Sequence, residues 1–190
     1  MMNNLSTTRA SVLARAANGD ADEFAQLYAP LAYAVARKRG LKQDDAEDIA
    51  QQVMMELLRM LPGFDYDRSR GSFKGLVKKI VGNRVTDSMR RRRPEPAGEM
   101  VEQAATANTD LDALFEREWQ KVHLSAALDR VRMEVKPTTY QAFQLTFLDE
   151  VEPARVADML GISTNQVAQY KCRVVQRLRG QLEDLLRETE

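Results

Sequence analysis

Between Arg68 and Arg93 the chain carries ten basic residues and a single acidic one, Asp87. Lysine and arginine at that density neutralise phosphates and release their counterions, so binding through them is strongly salt-dependent. Phe64 and Tyr66 stand just ahead and Arg68 and Arg70 open the block, rings and guanidinium groups suited to stacking on unpaired bases. Lys74, Lys78, Asn83, Arg84, Asp87, Arg90 and Arg91 continue the set with charge and hydrogen-bonding groups. A second polar set lies toward the C-terminus. At about 100° per residue, Asn165, Gln169, Cys172, Arg173 and Gln176 fall on one helix face. Amides near a helix N-terminus followed by Arg suit readout of base edges in a major groove. Arg155, Lys171, Arg177 and Arg179 bracket this face and suit phosphate contacts.

A third set, "KQDDAEDIAQQV", is acidic. Asp45, Asp48 and Gln52 at i, i+3 and i+7, beside Gln51, read either as an acid cluster suited to a helix start or as a docking face for a partner. The stretch also resembles the aspartate-rich signature that holds Mg²⁺ around a diphosphate. That chemistry needs a second acidic cluster and a large apolar cavity, and the sequence offers neither. One cysteine, Cys172, excludes an internal disulfide framework and a Cys-based zinc site. The single histidine, His123, sits between Val122 and Leu124 in a helical pattern and is assigned no catalytic role. No catalytic residue, metal or cofactor is expected, and the chain is not read as an enzyme.

The formal net charge of zero hides an asymmetry. The basic block is followed by Pro94–Ala154, with five basic residues against twelve acidic ones, which implies two surfaces with different partners. A hydrophobic fraction of 44% is enough for packed cores. No apolar run reaches ten residues, so no membrane span is expected, and the start "MMNNLSTTRA" lacks a signal peptide pattern. The expected location is cytoplasmic.

The elements that must position these residues read as helices throughout, with Gly and Pro at segment edges. Asp20 and Glu23 have the spacing of a capping box ahead of Phe24, Leu27, Leu31 and Val35. Pro30 predicts a kink or a restart, and Gly40 a stop. A helix from Gln43 turns Ile49, Val53, Leu57 and Leu58 inward and stops at Leu61-Pro62-Gly63. After "FDYDRSRG" a long helix places Phe73, Leu76, Val77 and Ile80 in one apolar stripe, with Lys74 and Lys78 away from it. The stretch Pro94–Thr109 has two prolines, a glycine and three acids and reads as a flexible strap, about 55 Å long at full extension. Helices follow near Leu111–Met133, Pro137–Leu148, Pro153–Leu160 and Thr164–Leu186. The domains are therefore 1–93, a linker over 94–110, and 111–190, in an all-α fold.

In the last of these, Val156, Ala157 and Leu160 point inward and Gly161 permits a sharp turn. Ser163 caps the next helix with Gln166 as its reciprocal partner, and Val167, Tyr170, Val174, Leu178 and Leu182 share its inner face. A helix–Gly–helix corner by itself is equally an ordinary helical hairpin. The polar outer face and five basic residues against one acidic over Arg155–Gly180 favour a DNA-reading helix-turn-helix.

Taken in order, these stretches resemble a bacterial sigma factor of the extracytoplasmic-function type, with only sigma domains two and four. "DEFAQLYAPLAYAVARKRG" and "DDAEDIAQQVMMELLRMLPGFDYD" resemble the first half of domain two. "GSFKGLVKKIVGNRVTDSMRRRRP" resembles its promoter-melting and −10-recognition part. "VEPARVADMLGISTNQVAQYKCRVVQRLR" resembles the −35-reading domain four. The resemblance runs from about Val12 to Leu186. It implies that Asp45, Glu47, Asp48, Gln51 and Gln52 dock on the clamp helices of the largest subunit of core RNA polymerase, with the flap as a further contact. It implies −10 roles for Tyr66, Arg68, Arg70, Lys74, Lys78, Asn83, Arg84, Asp87, Arg90 and Arg91. It implies −35 roles for Arg155, Thr164, Asn165, Gln166, Gln169, Lys171, Arg173 and Arg177. The acidic strap would lie in the RNA exit path. Gln52 stands where many relatives have Glu, Leu76 where a Trp is usual, and Ala168-Gln169-Tyr170 where a more basic run is common. The partners implied are core RNA polymerase and promoter DNA, with an anti-sigma factor or a regulatory kinase as controlling partners and no membrane. The alternative is a stand-alone dimeric helix-turn-helix regulator that binds a palindromic duplex without polymerase.

Overall fold

The computed structural model describes residues 12–61, 72–92 and 101–187, and every regular element among them is helical, so the fold is all-α. In chain order the helices are α1 (Val12–Ala17), α2 (Asp22–Lys38), α3 (Gln43–Met60), α4 (Phe73–Arg92), α5 (Val101–Glu134), α6 (Pro137–Phe143), α7 (Pro153–Leu160) and α8 (Thr164–Arg187). A π-helical turn, Gln144–Leu148, follows α6. The chain divides into two compact units, one ending at Val122 and one spanning His123–Arg187.

In the first unit α2 buries Phe24, Leu27, Tyr28, Leu31 and Val35, an i, i+3, i+4, i+7 stripe, against α3 and α4. The helix runs unbroken through Pro30, where the sequence predicted a kink or a restart. Pro30 lies on the exposed side, where the carbonyl it leaves without a donor is open to solvent. Gly40 ends the element as expected, in the left-handed region at φ +87°. The Asp20–Glu23 capping box is not formed. Ala21 occupies the cap without a side-chain hydrogen bond, and both carboxylates turn instead to Arg15. A guanidinium within reach outcompetes a backbone amide for a carboxylate.

On α4 the buried face is Phe73, Val77, Ile80, Val81 and Val85, while Leu76 is half-exposed. The arc is rotated from the expected stripe because α5 covers a second side of this helix. Leu111, Leu114, Phe115 and Trp119 of α5 are all buried. The Trp119 ring lies 5.7 Å from Tyr28 of α2 and 5.7 Å from Phe115, and Tyr28 lies 5.5 Å from Phe73 of α4. A continuous line of rings thus joins three helices.

This changes the reading of residues 94–110 as a linker. The chain is helical from Val101 onward, since "VEQAATA" contains no Gly or Pro and the apolar period of 111, 114, 115 and 119 continues the same helix. The boundary between units falls within α5, after Val122, rather than near residue 110. Residues 93–100 lie outside the described residues.

Glu118 is buried on α5 and accepts hydrogen bonds from Lys38 of α2 at 2.5 Å and Lys121 at 3.2 Å. Burial pushes the Glu118 carboxyl up, but the two ammonium groups outweigh it and hold it below the usual carboxylate range. The same hydrogen bond to Glu118 raises Lys38.

The second unit has two apolar clusters. Ala142, Val156, Ala157 and Val167 join α6, α7 and the start of α8. Val131, Phe143 and Val174 join the end of α5, α6 and the middle of α8. His123 is buried at the unit's first residue.

Two outcomes test this packing. Trp119→Ala is expected to cost about 3–5 kcal/mol in urea denaturation, as for a fully buried large ring, and a neutral result would remove α5 from the first core. The stabilisation from the Lys38–Glu118 pair is fully present above the ordinary glutamate pKa and below the ordinary lysine pKa. It is lost as pH falls through the lowered Glu118 pKa, and again as pH rises through the raised Lys38 pKa. Glu118→Gln should therefore flatten the acid limb of a stability-versus-pH curve.

Candidate protein and nucleic-acid interfaces

Asp44 and Asp45 sit in the first turn of α3, where acids suit the positive end of the helix. Glu47, Asp48 and Gln51 are exposed, while Asp45 and Gln52 are half-buried at the rim. Gln43 donates from Nε2 to Glu47 Oε1 at 2.8 Å. The structure thus gathers all five expected docking residues on one side of α3, with Glu47, Asp48 and Gln51 foremost. Met55, one turn beyond Gln51, is 57% exposed in the same row and was missed. Its signal was present in the i+4 step from Gln51. Acids around an exposed thioether make a face for a partner with complementary basic and apolar groups.

The basic residues of α4 fall into two sets. Lys74 Nζ bonds Glu116 Oε1 at 2.8 Å and sits 5.8 Å above the Trp119 ring. Lys78 Nζ pairs with Asp112 Oδ1 at 2.9 Å. Arg84 donates from both Nε and Nη2 to Glu56 Oε2 of α3, at 3.1 and 2.6 Å. These three cations, expected to meet DNA, are engaged inside their own unit. Lys74 and Lys78 stand off the apolar stripe of α4, and α5 arrives on their side.

The open side of α4 carries Asn83, Asp87, Arg90 and Arg91, all exposed. Lys79 is exposed one turn before Asn83 and was also missed, although the 79, 83, 86, 90 spacing marks one face. A groove of about 380 Å³ beside this face is lined by Lys78, Lys79, Asn83 and Thr86 of α4 and by Leu111 and Asp112 of α5. Tyr66, Arg68 and Arg70, together with Phe64, lie outside the described residues.

In the second unit Gly161 takes the left-handed conformation at φ +63°, and the chain turns there from α7 into α8. The capping box forms as expected. The Ser163 N–H donates to Gln166 Oε1 at 2.8 Å, and the Gln166 N–H donates to Ser163 Oγ at 3.2 Å. Thr164, Asn165, Gln166, Gln169, Cys172 and Arg173 are exposed on α8, and Arg155 is exposed on α7. The box uses the Gln166 carbonyl oxygen, so this side chain presents only its NH₂ outward. A bidentate contact to adenine needs both a donor and an acceptor. Asn165 and Gln169 retain that capacity more fully than Gln166.

Two expected phosphate contacts have internal company. Lys171 Nζ lies 5.3 Å from the Phe147 ring, and Arg177 pairs with Glu134 of α5 at 3.6 Å. Arg173 lies over Tyr170 at 5.8 Å, which aims its guanidinium along the outer face.

Ser163→Ala is expected to cost about 1 kcal/mol and to speed amide exchange in the first turn of α8. Ser163→Thr should restore most of it, and no change in either measurement would deny the cap its role.

No helix among the described residues is long and apolar enough to cross a membrane. No curated protein matches the chain. Residues 24–95, which contain the α3 face and the whole of α4, match the family model of sigma-70 region 2.

Proposed function

We propose that this chain is a promoter-specificity subunit of the extracytoplasmic-function type, built from sigma domains two and four alone. The observation that carries the reading is the coincidence of the region 2 match with the unit that displays an acidic α3 face and a basic α4 face. A capped helix-turn-helix with an outward row of amides follows it as a separate unit. In this reading Asp48, Gln51 and their neighbours dock on the clamp helices of core RNA polymerase, with Met55 as the apolar centre of the contact. The open stripe of α4, Lys79, Asn83, Asp87 and Arg90, faces the −10 strand, and the residues around Tyr66–Arg70 act on the same element. Capture of unpaired bases, each stacking contact worth about 1–3 kcal/mol, drives strand opening. The row Asn165, Gln169 and Arg173 reads the −35 element, while Arg155, Thr164 and Lys171 hold the backbone. The chain performs no covalent step and works in the cytoplasm beside polymerase. An anti-sigma factor or a kinase would control it by covering or charging the α3 or α8 face.

Reconstituted transcription tests the whole. Purified chain with core polymerase should start transcripts at a cognate promoter, and a folded chain that fails to bind core polymerase would sink the reading. Asp48→Ala should weaken polymerase binding at least tenfold while leaving single-stranded −10 binding intact, about the 1.4 kcal/mol that a tenfold change represents. Gln169→Ala should alter −35 preference, and an unchanged preference would mean that the reading face lies elsewhere on α8. If instead the chain alone binds a palindromic duplex tightly as a dimer, it is a free-standing regulator.

A further inference from the structure

The unexpected partner of the α4 lysines is α5. Two acids four residues apart on α5, Asp112 and Glu116, meet two lysines four residues apart on α4, Lys78 and Lys74. The pairing runs antiparallel, 74 with 116 and 78 with 112, and Leu111 lies against Gly82 one turn further along. A Cβ at Gly82 would stand 3.3 Å from Leu111 Cδ2, so the missing side chain leaves room for this approach. The acids are held in register from behind, since Phe115 and Trp119 are almost wholly buried. The carboxylates themselves remain in contact with water, with side chains 57% exposed at Asp112 and 45% at Glu116. Exposed ion pairs of this kind are weak and exchange readily with another anion.

From this register we infer that the Leu111–Trp119 stretch of α5 is an internal charge clasp, its two carboxylates occupying the Lys74 and Lys78 positions that nucleic-acid phosphates would take. The inference deepens the proposed function and rests on the reading of α4 as a DNA-binding helix. The apolar anchors stay in place when DNA arrives. Only the two carboxylates swing aside, each giving up a lysine to a phosphate. The clasp leaves the Lys79–Asn83–Arg90 stripe open and taxes only the flank beside α5. Its effect is a threshold: the free chain binds stray nucleic acid poorly, and DNA held close by polymerase displaces the acids through its high local concentration.

The test uses the full chain and a fluorescent fifteen-nucleotide single strand of mixed sequence, followed by anisotropy at several salt concentrations. Asp112→Asn with Glu116→Gln keeps the shape of both side chains and removes their charge. It should bind the strand about three- to tenfold more tightly, the range expected for two screened ion pairs. A control with the same charge change away from the contact, Asp22→Asn with Asp184→Asn, should gain less than twofold. Equal gains in both variants, or no gain in the first, would overturn the clasp. Lys74→Ala with Lys78→Ala, made in each background, separates the two readings. If this change removes the gained affinity, both stand. If it weakens binding but the acid variant gained nothing, the clasp falls and the DNA reading stands. If it changes binding in neither background, these lysines do not meet DNA and the clasp falls with that assignment. Should the paired acid variant fold poorly by circular dichroism, Asp112→Asn alone, at the more exposed of the two acids, carries the same comparison.

Discussion

Burial of the Trp119 indole against Tyr28 and Phe115 is the contact on which the rest of the first unit depends. It fixes where the front of α5 lies, and with it the positions of Glu118, Glu116 and Asp112. Each of those carboxylates then has a lysine to answer: Lys38 for Glu118, Lys74 for Glu116, Lys78 for Asp112. An apolar anchor with acids arranged around it turns a stretch that is acidic in composition into a fixed electrostatic surface. Apolar burial supplies the free energy, and the charges decide what the surface faces.

The same arrangement divides the basic block of the sequence. Ten cations in a row suggest one uniform phosphate-binding surface, but the described part resolves into cations with carboxylate partners and cations directed outward. Lys74, Lys78 and Arg84 belong to the first group, and Lys79, Arg90 and Arg91 line the exposed side. Charge counted along the chain therefore overstates the charge that a ligand meets on this helix.

Local chemistry was the legible part of the sequence. The all-helical fold, the starts of α3 and α8, the Gly40 and Gly161 turns and the Ser163–Gln166 box all follow from residues within one or two turns of each other. The acidic row on α3 was legible for the same reason, as a period along one helix. What escaped was set by side chains on another element. Arg15 took the carboxylates of Asp20 and Glu23 away from a cap that their spacing allowed. The helix period gives the faces of α4 but not which of them another helix will cover, so the ion pairs of Lys74 and Lys78 with α5 were not legible. The composition of residues 94–110 suggested a strap, whereas the anchors that order the helix begin at Leu111, beyond its end.

The capping box at the start of α8 has an evolutionary side. Gln166 holds the helix end with its oxygen and shows its amide to the outside, so a change there touches folding and recognition together. Asn165 and Gln169 carry no such double duty. If α8 reads DNA as proposed, descendants of this chain acquire new sequence preferences most cheaply by drifting at 165 and 169, while 163 and 166 are held to combinations that keep the cap.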